Sequence, residues 1–438
     1  MFSTPSFRAA ALTAILAFGT GAAILSATNH DVPAASAREP APALPSRDAS
    51  TDERIAAYDA IVKARPRVPA GYALLSAAYQ QKSRESADPD ALPRAERAVE
   101  RGLRVAPADL SLLAQRSSLR LARHQFKAAL VDAEAVYRAD PTLRRPYGAL
   151  VDALVELGQY GRAGERLQEA IDRGPTLGIY ARASYFRELH GDIAGAKHAL
   201  RLAASAGGES AENVSYVQTL LGNLQLGSGD PRGAERSYRE ALGRTPAYVP
   251  ALIGFGRLAA SRGDLGDAER RLSDAVGRNA SPESLTALVE VQLAAKSPGA
   301  ASSVAELRDT YASLSAEGEN TGVERGLFEA QHGSPALALQ LARQGLRDAP
   351  SVRAEDALAY ALTRSGRPGE ALRHARRAVR LGSRDAGLLY RSAVTANAAG
   401  EPELARRWIH RALASNPRFS PLYAPQARQL ERVLRSRS

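Results

Sequence analysis

The chain has 438 residues, a formal net charge of +11 and no cysteine, so disulfide bonds, zinc–thiolate sites and cysteine nucleophiles are excluded. Hydrophobic residues make up 45% and charged residues 24%, which is typical of a folded, soluble body. Aromatic residues make up only 5%, and the apolar residues are mostly Ala and Leu, so the composition favours helices over an extensive β-sheet.

The N-terminus carries an apolar run. Residues 9–29 have no charge and lie between Arg8 and Asp31. A run of this length can cross a bilayer, and it also resembles a secretory signal peptide. We therefore expect residues 1–30 to be a signal peptide or a membrane anchor, and the protein to be exported, either secreted or held in the cell envelope. The sequence leaves open whether the run is cleaved or retained, and a buried helix of the first domain is the alternative.

A Pro- and Ala-rich linker over 31–51 follows, and helical patterns fill the chain from residue 52 to residue 438. Residues 55–66 predict a single helix, the second of a truncated unit. Further on, Pro107, Pro141 and Pro175 are evenly spaced, which indicates an internal repeat.

One unit shows what is repeated. Over residues 144–175, apolar residues recur at helical spacing on both sides of Gly158, which predicts two helices joined by a turn. Glycine permits the positive φ of the turn, and Pro175 stops the second helix because it lacks an N–H. The same frame returns in two further units, at Leu221, Gly222, Gly229, Ala234, Tyr238, Ala241 and Pro246, and at Phe255, Gly256, Gly263, Ala268, Leu272 and Ala275.

This pattern resembles the tetratricopeptide repeat family, and the resemblance covers roughly residues 52–438. It implies an all-α fold: a right-handed superhelical solenoid of about ten helix-turn-helix repeats, closed by a capping helix within 420–436. The expected first helices begin near Tyr72, Leu113, Tyr147, Tyr180, Gln218, Leu252, Leu285, Gly322, Glu355 and Leu389. Three longer spacings predict loops or short breaks at Ser83–Leu92, Gly207–Asn213 and Ser313–Thr321.

The sequence offers no motif for catalysis. The seven histidines match no metal-binding spacing, and HExxH, CxxC and GxSxG are absent. We therefore expect neither an enzyme nor a resident cofactor or metal ion. An enzyme with an unrecognised site is the alternative.

The resemblance implies that the first helices line a concave groove, which holds a protein or peptide ligand. The expected groove residues are Asp152, Glu156, Tyr185, Glu188, Tyr216, Asn223, Arg257 and Glu290. A basic and Asn clamp for a C-terminal carboxylate, known in some members of the family, is not found here. The alternative is a groove without a single evolved ligand, and the sequence gives no indication of the oligomeric state.

The positive charge is concentrated near the C-terminus. Residues 361–438 contain 16 arginines, no lysine and five acidic residues, so their balance equals the net charge of the whole chain. Four arginines are expected on one helical face, as an anionic-surface patch: Arg373, Arg377, Arg380 and Arg384. Such a patch could meet phospholipid headgroups or an acidic protein; nucleic acid is least favoured, since no nucleic-acid-binding module is recognisable. An Arg-rich solvated face is the alternative.

These features predict a non-enzymatic interaction scaffold or adaptor, exported or tethered to a membrane. The second hypothesis is a regulatory repeat protein whose basic C-terminal end docks to an anionic membrane surface or an acidic partner.

Overall fold

The structure is a computed structural model, and it describes residues 44–46, 49–86, 90–207 and 211–436. Its secondary structure within these ranges is entirely helical. The helices are α1 (Thr51–Ala64), α2 (Pro69–Ser86), α3 (Ala91–Val105), α4 (Leu110–Ala122), α5 (Phe126–Ala139), α6 (Arg145–Glu156), α7 (Tyr160–Asp172), α8 (Leu177–Leu189), α9 (Ile193–Ala206), α10 (Ala211–Gly227), α11 (Pro231–Arg244), α12 (Val249–Ser261), α13 (Leu265–Arg278), α14 (Pro282–Ala295), α15 (Ala300–Ala316), α16 (Gly322–His332), α17 (Pro335–Asp348), α18 (Val352–Arg364), α19 (Pro368–Ala378), α20 (Ala386–Ala398), α21 (Pro402–Ser415) and α22 (Tyr423–Ser436).

The turns between paired helices follow from a short local code. Before α11, Gly229 has a φ of +79°, which favours glycine over any residue with a side chain. The carboxylate of Asp230 then accepts a hydrogen bond from the N–H of Gly233 and caps the helix. Pro231 occupies the first turn, where a missing N–H costs no helical hydrogen bond. The chain therefore reverses direction within a few residues.

Small residues let the paired helices approach closely. Tyr238 of α11 is fully buried between α10 and α12. A Cβ added to Gly254 would lie 2.5 Å from the Tyr238 ring, and one added to Gly222 would collide with the same ring. One large side chain therefore fills the space that two glycines leave, which is why neither helix tolerates a bulkier residue there.

Most consecutive helices pack against each other, and so do next-but-one helices such as α2 with α4 and α16 with α18, so the all-α solenoid of tetratricopeptide-type helix pairs is confirmed. Each of the ten expected first helices coincides with a helix of the structure. The helix expected near residues 55–66 is α1, and the expected capping helix is α22. The handedness of the superhelix and the number of repeats stay predictions.

The three expected loops are shorter than predicted, because helices extend into them. Helix α2 continues to Ser86, within the stretch expected as a loop from Ser83. Helix α15 likewise continues to Ala316, and α10 already begins at Ala211. No Gly or Pro interrupts 83–86 or 313–316, so the helical hydrogen bonding continues. These insertions therefore mainly lengthen helices.

The chain divides into two compact units, residues 1–153 and 154–438, here called unit 1 and unit 2. In unit 1, helices α1 to α4 enclose an apolar cluster around Tyr72, Val99 and Leu112. In unit 2, the C-terminal helices enclose another around Leu389, Trp408 and Ile409.

The sequence-based expectation for residues 1–30 lies outside the described residues. Among the helices that the structure describes, none combines the length and the apolar character needed to cross a membrane.

Candidate functional site

The residues expected in the groove are mostly half-buried in the structure. Asp152 lies in unit 1, where its side chain is buried, and Glu156 is buried at the end of α6. The remaining six are half-buried along α8, α10, α12 and α14 of unit 2: Tyr185, Glu188, Tyr216, Asn223, Arg257 and Glu290. Four of the eight (Glu156, Tyr185, Glu188 and Glu290) face later helices of the same unit, as the contacts below show.

Tyr185 faces the beginning of α18. Its hydroxyl forms a hydrogen bond with Arg353. Arg353 also pairs with Glu324 at 3.1 Å and is attracted by the negative charge of Glu156. Burial raises the pKa of Tyr185 well above its usual range, with a further contribution from Glu156. Burial would lower the pKa of Arg353, but the two carboxylates outweigh it and raise that pKa. The guanidinium of Arg353 is therefore a permanent positive charge between α8 and α18.

Glu188 lies one turn further along α8 and faces the start of α20. Burial, and then the negative charge of Asp385, raise the pKa of Glu188 to about 7. Asp385 is the N-cap of α20 and accepts a hydrogen bond from the N–H of Leu388 at 2.6 Å. Glu188 therefore lies in the field of a like-charged group at the start of α20.

A second ion pair lies between α18 and α20. Arg391 donates from Nε and from the Nη2 nitrogen to the carboxylate of buried Asp356, at distances between 2.5 and 3.2 Å. Burial raises the pKa of Asp356, and Arg391 opposes that effect. The fork geometry is the strong form of such a pair. This pair therefore holds α18 and α20 together.

Glu290 of α14 meets the segment that leads into the last helix. The hydroxyl of Ser420 donates to its carboxylate. Burial raises the pKa of Glu290, while Ser420 and the charges of Arg257 and Arg391 counteract the rise. Next to it, the rings of Tyr390 and Tyr423 are in contact, and the Tyr423 hydroxyl lies 3.2 Å from the ring nitrogen Nε2 of His332. Burial and then Arg308 lower the pKa of His332 to about 4, so this histidine is neutral at physiological pH.

These contacts define one surface, which we call the inner face of unit 2. It is built by Tyr185, Glu188, Glu290, Arg353, Asp356 and Arg391, with tyrosines at positions 360, 390 and 423 beside them. Acidic, basic and aromatic side chains are all present on it, and several remain partly exposed.

The turns of unit 2 also meet over long sequence distances. The backbone N–H of Val352 donates to the hydroxyl of Tyr160 at 2.8 Å, across 192 residues. The side-chain amide of Asn416 donates to the carbonyl of Leu226 at 2.9 Å, across 190 residues. A Cβ added to Gly191 would lie 2.5 Å from the carbonyl oxygen of Gly382. The nearly constant separation shows one part of unit 2 stacked in register on another.

Three expected groove residues take part mainly in local packing or pairing. Asn223 accepts a hydrogen bond from the hydroxyl of Tyr238 at 2.8 Å. Arg257 pairs with Glu283 at 2.9 Å. Tyr216 packs against the apolar cluster of α8 to α10. They link neighbouring helices and are poorer candidates for recognition.

The arginine patch differs from its expected geometry. Helix α19 ends at Ala378, so the prediction that all four arginines share one helical face is wrong for Arg380 and Arg384. Arg373 and Arg377 are more than half exposed, but each lies near a carboxylate, Glu370 and Glu355 respectively. Arg380 lies over the ring of Tyr160 at 5.3 Å. All four side chains remain exposed.

Sequence reasoning did not identify the inner-face residues that lie on α18 and α20. Five of the expected groove residues, from Asp152 to Glu290, lie five positions after the start of their predicted first helix. The same count in α18 selects Tyr360, which borders this surface. Arg353 and Arg391 occupy other positions, and only the long-range contacts reveal them. In the described part of the chain, no group of three or more potential ligand residues could hold a metal ion.

No family model and no curated protein match this chain. Solved structures do resemble it, and they are tetratricopeptide-repeat proteins. The Cut9–Hcn1 hetero-tetramer of APC/C is 14% identical over 88% of this chain and 67% of that chain, with a TM-score of 0.47. Human IFIT1, solved as a dimer with PPP-AAAA, is 13% identical over 83% and 86%, with a TM-score of 0.45. TTC0263, a thermophilic TPR protein of Thermus thermophilus, is 19% identical over 42% and 100%, with a TM-score of 0.37.

The chain has the fold of a tetratricopeptide-repeat solenoid. The order and packing of its own helices show this fold.

Proposed function

We propose that this protein is a non-enzymatic scaffold that binds another protein, and that the inner face of unit 2 is its recognition surface. The observation that carries the proposal is the concentration of half-buried Tyr and Arg side chains there, around Tyr185, Arg353 and Arg391. Tyr and Arg are enriched among the residues that dominate binding energy, and they act best where the surroundings exclude water. Stacked repeats supply the extended surface.

The chemistry of the inner face favours a partner segment with polar and charged groups. Its carboxylates and guanidiniums already pair within the chain, as Asp356 does with Arg391. A partner has to replace such pairs with its own charged groups, because an uncompensated buried charge is strongly unfavourable. We therefore propose an extended, charged protein segment as the ligand.

Affinity capture tests this proposal, with the full chain as bait and the native membrane fraction as source. Replacing Tyr185 and Glu188 by Ala should weaken capture of a specific partner at least 10-fold, given that anchor residues contribute about 2 kcal/mol or more. The matched control replaces Arg236 and Glu240, which are exposed on α11, by Ala. Circular dichroism confirms that both variants are folded. Equal capture by both would refute the inner face as the binding surface.

We further propose that the protein is exported or tethered to a membrane. The uncharged run 9–29 and the Pro-rich stretch that follows it support this. Cell fractionation of the full chain and of a variant that begins at residue 31 tests it. The full chain should leave the cytosol and the truncated chain should stay there. Recovery of both in the cytosol would contradict export.

A second candidate is docking of the basic C-terminal end to an anionic membrane or an acidic partner. The exposed guanidiniums of Arg373, Arg377 and Arg384 favour it. Replacing these three by Ala should abolish salt-sensitive binding to vesicles that contain phosphatidylserine. A control variant removes Arg236, Arg239 and Arg270, which are exposed elsewhere in unit 2. Equal binding by both variants would exclude a specific patch.

A further inference from the structure

The two stacked parts of unit 2 meet through polar groups. The Tyr160 hydroxyl accepts from the Val352 amide, and Asn416 donates to a backbone carbonyl on the other side. Gly158 and Gly191 face backbone carbonyl oxygens of residues 350 and 382 at close range. Water can replace each of these partners, because backbone and hydroxyl groups hydrogen-bond to water about as well as to each other.

Two apolar clusters of unit 2 are separate from this contact. The cluster of α8 to α10 contains Leu177, Leu200 and Leu221 and no residue from beyond α10. The cluster of α18 to α22 contains Leu389 and Ile409 and no residue from before α18. Hydrophobic burial is the dominant stabilising contribution. Opening of the contact therefore leaves these two clusters intact.

Glu188 lies at this contact, three residues before Gly191. Asp385, which faces it, lies three residues after Gly382. Its surroundings favour the neutral form: burial and the charge of Asp385 raise its pKa to about 7. The nearby cations are engaged elsewhere or exposed. At the start of α20 and in the turn before it, the charged groups are Asp385 and Arg384, and Arg411 of α21 donates to the Gly382 carbonyl in that turn. On α18 they are Asp356 and Arg353, with their respective partners Arg391 and Glu324. On its own helix they are Tyr185, Arg187, which pairs with Asp192, and the C-cap His190.

We propose that this contact is a reversible closure of unit 2, and that ionisation of Glu188 opposite Asp385 opens it as the pH rises. The closed form favours protonated Glu188, so closure is strongest below the ordinary pKa of 4.5 and weakens as the pH rises through about 7. Opening frees the inner face for a partner. The inference goes beyond the proposed scaffold function, because the closure can be measured without any ligand.

Hydrogen–deuterium exchange at the Val352 amide measures opening directly. This amide belongs to the first turn of α18, and it donates to Tyr160 across the contact. After correction for the intrinsic pH dependence of exchange, its protection should fall by up to about 70-fold between pH 5 and pH 8. That factor follows from a carboxyl pKa that shifts from 4.5 to about 7 on closing. Protection of the Leu362 amide, inside the same helix, should not follow this dependence.

Two variants decide the assignment. Glu188→Gln should leave the Val352 protection independent of pH, and Asp385→Asn, which keeps a capping side chain, should reduce the dependence. Glu240→Gln on α11 is the control and should behave like the wild type. The proposal is overturned if the wild-type protection does not change with pH, or if Glu188→Gln shows the same fall as the wild type. If the wild-type protein captures no partner but its Val352 protection falls with pH as expected, the result counts against the scaffold function alone.

Discussion

Four glycine substitutions test whether the two parts of unit 2 touch in solution. Gly158, Gly191, Gly263 and Gly400 have φ values of +69°, +78°, +87° and +77°, so Ala at any of them adopts the left-handed conformation. That conformation costs about 1–2 kcal/mol for a residue with a Cβ. A Cβ at 263 or 400 meets nothing within 4 Å, so the backbone cost should be the whole effect there.

The other two positions carry a second cost. A Cβ at Gly191 would lie 2.5 Å from the carbonyl oxygen of Gly382, and one at Gly158 would collide with the carbonyl oxygen of Pro350. Backbone cannot move aside as a flexible side chain can, and overpacking costs about 1–3 kcal/mol. Gly158→Ala and Gly191→Ala should therefore lose about 2–5 kcal/mol in total, provided that the contact stays closed.

Urea unfolding, followed by helical circular dichroism at pH 5, gives the comparison. Gly229→Ala should be intermediate, because its Cβ would lie 3.1 Å from the carbonyl oxygen of Ser415. If the contact instead opens in the Gly158 and Gly191 variants, the second cost appears as lost protection of the Val352 amide. Equal stability losses at 158, 191, 263 and 400, with unchanged Val352 protection, would refute the stacked arrangement.

Three further predictions concern single side chains. At pH 5, where the contact is closed, Tyr160→Phe leaves the buried Val352 amide without its acceptor and should cost about 1–3 kcal/mol of unfolding free energy, measured by urea unfolding. Asp356→Asn removes the partner of a half-buried arginine and should cost about 3–5 kcal/mol, whereas Asp274→Asn breaks an exposed pair and should cost at most about 1 kcal/mol in the same assay. Gly243→Ala, where a Cβ meets nothing within 4 Å, should raise the melting temperature through a gain of about 0.5–1 kcal/mol, whereas Gly254→Ala, against a buried tyrosine ring, should lower it.

The helices could be predicted because their determinants are local. Gly158 and Gly229 lie in turns, where the backbone has a positive φ, and Pro231 lies at the start of a helix. Each of these residues is within a few positions of the helix boundary that it determines. The expected loops from Ser83 and from Ser313 were too long for a related reason. A longer spacing shows that residues were inserted, but only the absence of Gly and Pro decides that they extend a helix.

The closed inner face could not be predicted from one sequence. Whether Tyr160 meets Val352 depends on small rotations between successive helix pairs, which add up over 192 residues. A change of a few degrees at each pair would separate them, and no residue type encodes such an angle by itself. The identities of Tyr185 and Glu188 as inner-face residues could be predicted, since repeat position sets orientation. Their partners Arg353 and Asp385 could not.

The glycines show why the same sequence signal has two meanings in this fold. Gly158, Gly191, Gly263 and Gly400 are equivalent in their own turns, where each supplies a positive φ. Only the first two also allow a second stretch of backbone to come within contact distance. A repeat pattern therefore explains why glycine is present at all four positions, while the stacking explains why no other residue fits at two of them. The turn glycines determine the helix-turn-helix repeats locally. The polar contact between the stacked parts of unit 2 decides whether the inner face is open to a partner.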